Sequence, residues 1–200
     1  MLIKNKYATF VVNALAGGCT AWAQRWYRPD AASATTVHAA VTLTAAAQTV
    51  TTSITNPDFP RILSITGNAG GIAGNVVISG TDIRGNAISN TIALNGSSTV
   101  NGTKAFASVT SIVLPIKTNG SGDTVSIGIS DKLGLEMIPD VAVAISAHHD
   151  AVLEGTLPAI TVGATIDLCV ADFDSACGAD HDQRVVFYTS EKPKAVKRTT

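Results

Sequence analysis

The sequence predicts a mainly β protein, an antiparallel β-sandwich of immunoglobulin-like or jelly-roll-like type with an extended N-terminal arm. Three observations predict it. Hydrophobic residues make up 46% of the 200 residues and charged ones only 14%, so Thr, Ser, Asn and Gly must build much of the surface. The apolar positions are rich in β-branched residues and alternate with small polar ones, which fits a pleated, half-buried strand better than a helix. Gly, Asn and Pro turn signals recur roughly every 8–15 residues, with no long amphipathic helix between them.

The elements follow in chain order. Residues 1–35 read as the arm, in part helical. Lys4 and Lys6 precede an apolar run from Tyr7 to Gly18, which Asn13 interrupts. Ala21-Trp22-Ala23 mimics a leader cleavage site, but the polar interruption argues against a leader. No stretch approaches the ~20 apolar residues of a membrane span, so no membrane partner is expected.

Residues 36–136 read as the sandwich domain. Val37, Ala39, Val41 and Leu43 alternate with smaller or polar neighbours, and a second strand covers Gln48 to Thr55. Asn56-Pro57-Asp58-Phe59-Pro60 ends it, because each proline fixes φ and withholds a ladder donor. Arg61 to Thr66 is next, then the glycine-rich loop from Gly67 to Gly71. Val76 to Ser79 leads through the turn Asp82-Ile83-Arg84-Gly85-Asn86 into Ala87 to Leu94, where Ile88, Ile92 and Leu94 share a face. Asn95-Gly96 and Asn101-Gly102 are hairpin-type dipeptides, since both residue types tolerate positive φ. One strand over Lys104 to Pro115 and another over Thr124 to Ile129 complete the domain.

Past residue 136 glycine and asparagine thin out, acidic residues and histidines appear, and Met137-Ile138-Pro139-Asp140 reads as a junction. Residues 137–200 are expected to add strands at Val141–Ile145, Ala164–Val170 and Arg184–Thr189, or a small β subdomain, with a basic C-terminal tail.

Charge is unevenly placed. Between residues 31 and 183 five basic residues face thirteen acidic ones, while the two ends hold the other nine of the fourteen basic residues. An acidic body with basic ends suits docking of the ends on an acidic neighbour. The interface candidates are therefore Arg25, Arg28, Lys192, Lys194, Lys197 and Arg198, together with the aromatic anchors Trp22, Trp26 and Tyr27. The tail lacks interleaved aromatics to stack on bases, so protein rather than nucleic acid is the expected partner.

The chemistry-bearing patterns are weak. There is no G-x-S-x-G elbow, no familiar Ser-His-Asp order, and no lysine to make a phosphate loop of the glycines at 67–74. Asp172, Asp174, Asp180, His181 and Asp182 offer oxygens to Ca²⁺, but Ala176 falls on a ligand position and no Glu closes the loop. A solvated acidic loop is expected. In His148-His149-Asp150, adjacent side chains of an extended segment point to opposite faces, so the two imidazoles do not share a metal and an exposed turn is expected. The three cysteines, Cys19, Cys169 and Cys177, include no CxxC pair and give no zinc signature. Cys169 and Cys177 flank the acidic loop and either close a disulfide in an oxidising setting or remain buried thiols. No enzyme activity, cofactor or metal follows from these patterns.

From Ile54 to Leu135 the chain carries NPDFP, ITGN, SGTD, LNG, KAF, VTSI and DKLGL in that order. As a set these pieces resemble a recurring β-module of tailed-bacteriophage virion structural proteins, over about two-fifths of the chain. The resemblance implies a virion component, assembled in the host cytoplasm, with no catalytic residues to carry over. The leading expectation is a capsid decoration or cement protein, a homo-oligomer bound to the major capsid protein. Alternatives are a neck, collar or tail-fibre component and, further off, a receptor- or carbohydrate-binding module, for which exposed aromatics are scarce.

Overall fold

The computed structural model describes residues 9–12, 21–120, 122–173, 177–178 and 181–190, with backbone alone at 9–12, 21 and 22. In chain order the strands are β1 (Thr9–Val12), β2 (Ala21–Tyr27), β3 (Ser33–Thr42), β4 (Gln48–Val50) and β5 (Arg61–Gly67). Next come β6 (Asn75–Thr81), β7 (Ala87–Ala93), β8 (Val100–Phe106), β9 (Ser108–Leu114) and β10 (Thr124–Gly134). The last are β11 (Ala144–His149), β12 (Val152–Leu153), β13 (Ala159–Thr161), β14 (Val170–Asp172) and β15 (Gln183–Thr189). The mainly β, antiparallel sandwich class read from the sequence is what the chain forms. Among the described residues no helix is long and apolar enough to cross a membrane.

Three antiparallel sheets stack on two cores. A four-stranded sheet runs β4-β9-β6-β7; a six-stranded one runs β13-β14-β10-β5-β8 with β3 also on β10; a five-stranded one runs β1-β2-β15-β11-β12. The four-stranded sheet contributes Val76, Ile78, Ile92, Val109, Ile112 and Leu114 to the first core, opposite Leu63, Ile65, Val125, Ile127 and Ile129. The five-stranded sheet contributes Ala23, Tyr27, Ala144, Val185 and Phe187 to the second, opposite Leu133, Ile160, Ala171 and Phe173. Strand β10 belongs to both. Its first half lies between β3 and β5, and its end pairs with β14. Where the cores meet, Arg61 is 0% exposed and largely paired: it meets Asp58 at 2.9 Å and donates to the Ser130 carbonyl at 2.7 Å and the Asp30 carbonyl at 3.0 Å, while its Nη2 makes no hydrogen bond and lies 4.0 Å from Asp131.

Several expected elements come out differently. The sequence places residues 1–35 in an arm seeking a partner, but residues 21–27 are β2, hydrogen-bonded along their whole length to β15 of the same chain. The run from Lys104 to Pro115 is not one strand. It breaks at Ala107, sending β8 to one sheet and β9 to the other. The strand begun at Gln48 stops at Val50. The strand expected over 164–170 is present only at its last residue, where β14 begins: a 3₁₀ turn at Ile166–Leu168 curls before it and sets the buried Asp167 carboxylate 3.2 Å from Lys104, since a buried charge needs a partner. Asn101-Gly102 is not a turn but lies inside β8. The Asn90 side chain accepts from Thr103 N at 2.9 Å, and a Cβ on residue 102 would come within 2.4 Å of that same oxygen, so close approach rather than positive φ explains the glycine.

Candidate functional site

Strands β2 and β15 form the middle of the five-stranded sheet, β2 alternating and β15 alternating except at the buried Val186. In β15, Gln183, Val185, Phe187 and Thr189 are buried while Tyr188 is exposed. In β2, Ala23, Arg25 and Tyr27 face the second core, and Trp26 faces away with the Arg184 guanidinium 5.2 Å over its ring. Arg25 and Tyr27, expected as docking groups, are therefore interior. Arg25 pairs with Glu136 and lies 5.1 Å from the Tyr27 ring. Tyr27 donates its hydroxyl to the Gly134 carbonyl at 3.0 Å, and burial pushes its phenol well above the ordinary range. Arg28 is exposed but engaged, its guanidinium 2.7 Å and 3.2 Å from the two oxygens of Asp182. Trp22 occupies the register position beside Tyr188. Lys192, Lys194, Lys197 and Arg198 lie outside the described residues.

At the far edge of this sheet the exterior is apolar. Val143 is 57% exposed, Ile145 40%, Val152 69% and Leu153 62%, with Val141 nearby and Tyr188 on β15. The edge strand β12 is two residues long and pairs only with His148 and His149, so among the described residues no strand covers the Ala144–Ser146 edge of β11. Open strand edges with apolar side chains are pairing surfaces unless something covers them.

Beside that edge lies a cluster of ionisable groups. His149 ends β11, Asp150 and Ala151 form the turn to β12, and His181 precedes β15. The His181 Nδ1 atom is 2.6 Å from Asp150 Oδ2, and His149 Nε2 is 3.4 Å from the same oxygen. Asp150 Oδ1 accepts from the Asp182 backbone at 2.8 Å, and the two imidazoles meet edge to face at 4.7 Å. The hydrogen bonds from His181 and from the Asp182 backbone hold the Asp150 carboxyl below the usual carboxylate range. His148 does point to the other face. Its ring lies 3.0 Å from an Arg184 nitrogen, and burial together with that cation holds it below the ordinary imidazole value, hence neutral.

The sequence treats the histidine pair and the acidic loop as separate features; the structure joins them. His149 and His181, rather than His148 and His149, are the imidazoles that meet. A His-His-Asp after one strand and an Asp-His-Asp before another become neighbours once β11 and β15 run antiparallel with His149 opposite Gln183. That pairing is the signal that could have found the site. Asp172 is elsewhere, paired with Lys132 at 2.7 Å, and Asp174 and Asp180 lie outside the described residues. Cys169 and Cys177 are both buried thiols not bonded to each other, the second of the two outcomes left open by the sequence. Cys169 lies among Gly163 and Thr165, whereas Cys177 lies against Asp131, and burial pushes the Cys177 thiol up to about 12. A groove of about 400 Å³ beside Ser33, Ser64, Ser130 and the Lys132–Asp172 pair holds hydroxyls and charges without an imidazole or thiol.

No family model, curated protein or solved structure matches this chain.

Proposed function

We propose that this chain is a structural, non-enzymatic component of a tailed-phage particle, and more narrowly a capsid decoration protein seated on its shell. The observation that carries the docking role is the uncovered apolar edge of the five-stranded sheet. Val143, Ile145, Val152 and Leu153 are exposed there, close together on one sheet edge. Such an edge gains from being covered, by strand addition or by flat packing against a neighbour. The low charge of the chain supports the reading, since contact then strips few ions of water. The resemblance of residues 54–135 to phage virion modules supplies the kind of particle. The arm mechanism gives way to this edge: removing residues 1–30 would take β2 out of the sheet and unsettle the fold itself.

The test is co-sedimentation with shells stripped of this chain. The wild type rebinds and pellets, while the double variant Val143→Asp with Leu153→Asp stays in the supernatant. Both substitutions are on exposed side chains, so stability should shift by no more than ~0.5 kcal/mol each. Normal binding by the variant would remove the edge from the interface. A wild type that binds no shell, neck or tail component would end the virion reading.

A further inference from the structure

We propose that His149, Asp150 and His181 bind a divalent cation of the zinc class, a site independent of the docking edge. Their ligand atoms all lie within 4.8 Å of one another. Two imidazole nitrogens and one carboxylate oxygen are the donor set that zinc favours, whereas Ca²⁺ and Mg²⁺ ask for oxygen throughout. Metal–ligand bonds of ~2.0–2.1 Å at tetrahedral angles put neighbouring ligand atoms about 3.3 Å apart. The His149 Nε2 to Asp150 Oδ2 distance is already 3.4 Å, and the 2.6 Å contact of His181 Nδ1 with the same oxygen is a hydrogen bond whose proton the cation would replace.

The surroundings hold these ligands in place. Asp150 Oδ1 is tied to the Asp182 backbone at 2.8 Å, leaving Oδ2 for a metal, and Asp182 is itself gripped by Arg28 at 2.7 Å. The His181 backbone donates to the Gly178 carbonyl at 2.9 Å, and its ring lies where a Cβ on residue 178 would be 2.7 Å away. Asp150 and Ala151 both adopt positive φ, 49° and 65°, to turn the carboxylate toward the two rings. With His149 half-buried and Asp150 and His181 exposed, a fourth position stays open to water or to a donor from outside, so the cation would pin the β11–β12 turn to the start of β15 while keeping one position for exchange.

Isothermal titration of untagged full-length protein with Zn²⁺ tests this. The expected result is one equivalent bound, weakened at least tenfold in His181→Ala and in Asp150→Asn, and unchanged in His148→Ala, whose ring faces away. Ca²⁺ and Mg²⁺ should bind at least a hundredfold more weakly. At a hundredfold excess of free Zn²⁺ over Kd the wild type should melt about 5 °C higher, and the two ligand variants should not. Should a variant fold poorly, the visible absorption of Co²⁺-loaded wild type reports the nitrogen–oxygen tetrahedral site directly. No zinc binding by the folded wild type, equal loss in His148→Ala, or full binding by the folded His181→Ala variant would overturn the proposal.

Discussion

The two cores share a central sheet but are built by different rules. The first is aliphatic apart from Phe106 and rich in β-branched Val and Ile. The second is aromatic: Tyr27 meets Phe59 edge-on at 5.8 Å and Phe173 at 5.9 Å, and Arg25 and Gln183 are buried beside it. Among the described residues nine large hydrophobics are left exposed; one, Ile116, belongs to the first sandwich and the other eight follow residue 140. The turns differ too. Around the first core positive φ falls mostly on glycines such as Gly85 at 81° and Gly96 at 59°, with Ser53 at 56° as the exception, whereas the second uses Asp150 and Ala151. The exposed apolar residues and the strained non-glycine turn thus gather in the second half.

The largest expected effect lies where the two regions join. Arg61→Met removes the guanidinium that holds Asp58 and the carbonyls of Ser130 and Asp30, leaving buried acceptors unpaired. Breaking such a buried pair from one side costs about 3–5 kcal/mol. Because Arg61 sits opposite Leu133 of β10, the strand common to both cores, urea unfolding should show both losing stability in a single transition. Two separated transitions would mean that the cores are thermodynamically independent and that β10 does not couple them.

How much of this was legible in the sequence depended on range. Parts of the first sandwich declare themselves locally, although the break at Ala107 and the in-strand place of Gly102 do not. Asp82, for instance, accepts from Arg84 N at 2.8 Å and Asn86 N at 2.9 Å, closing the turn that the Asp-x-x-Gly-Asn spelling announces. The second sandwich depends on partners far apart in the chain. Nothing near Arg25 reveals that Glu136 will neutralise it, so an inward cation reads as a basic surface arm. The same holds for the metal-like cluster, in which Asp150 and His181 are 31 residues apart. Spacing within a segment cannot report a pairing register.

A smaller effect concerns the thiols of the second core. With the Cys177 thiol pushed up to about 12 from 9.0, its thiolate fraction at pH 8 falls about 10³-fold, and labelling by a thiol reagent should slow accordingly against the urea-unfolded chain. The sign for stability follows from the same shift. The folded state holds the proton more tightly than the unfolded one, so the contribution is complete below pH 9 and drains away as pH rises toward 12. Tyr27 is shifted in the same direction and adds to the alkaline loss. Melting followed from pH 8 to pH 11 should therefore fall. A flat profile with rapid labelling of Cys177 would mean that the second core admits water as the first does not.

The smallest effect tests the strained turn. At a φ of 65°, Ala151 crowds its Cβ against the backbone, a cost of about 1–2 kcal/mol for an L-residue. Ala151→Gly removes it but gives the unfolded chain more freedom, worth ~0.5–1 kcal/mol in the opposite sense. The net expectation is a gain of up to ~1 kcal/mol, read as a rise in Tm of about 2–4 °C. A Gly85→Ala change at the corresponding turn of the first sandwich should move Tm the other way, since its 81° already sits on the residue that tolerates it. Were Ala151→Gly to destabilise instead, the methyl group would be making contacts that outweigh the strain, and the two hairpins would differ in packing alone.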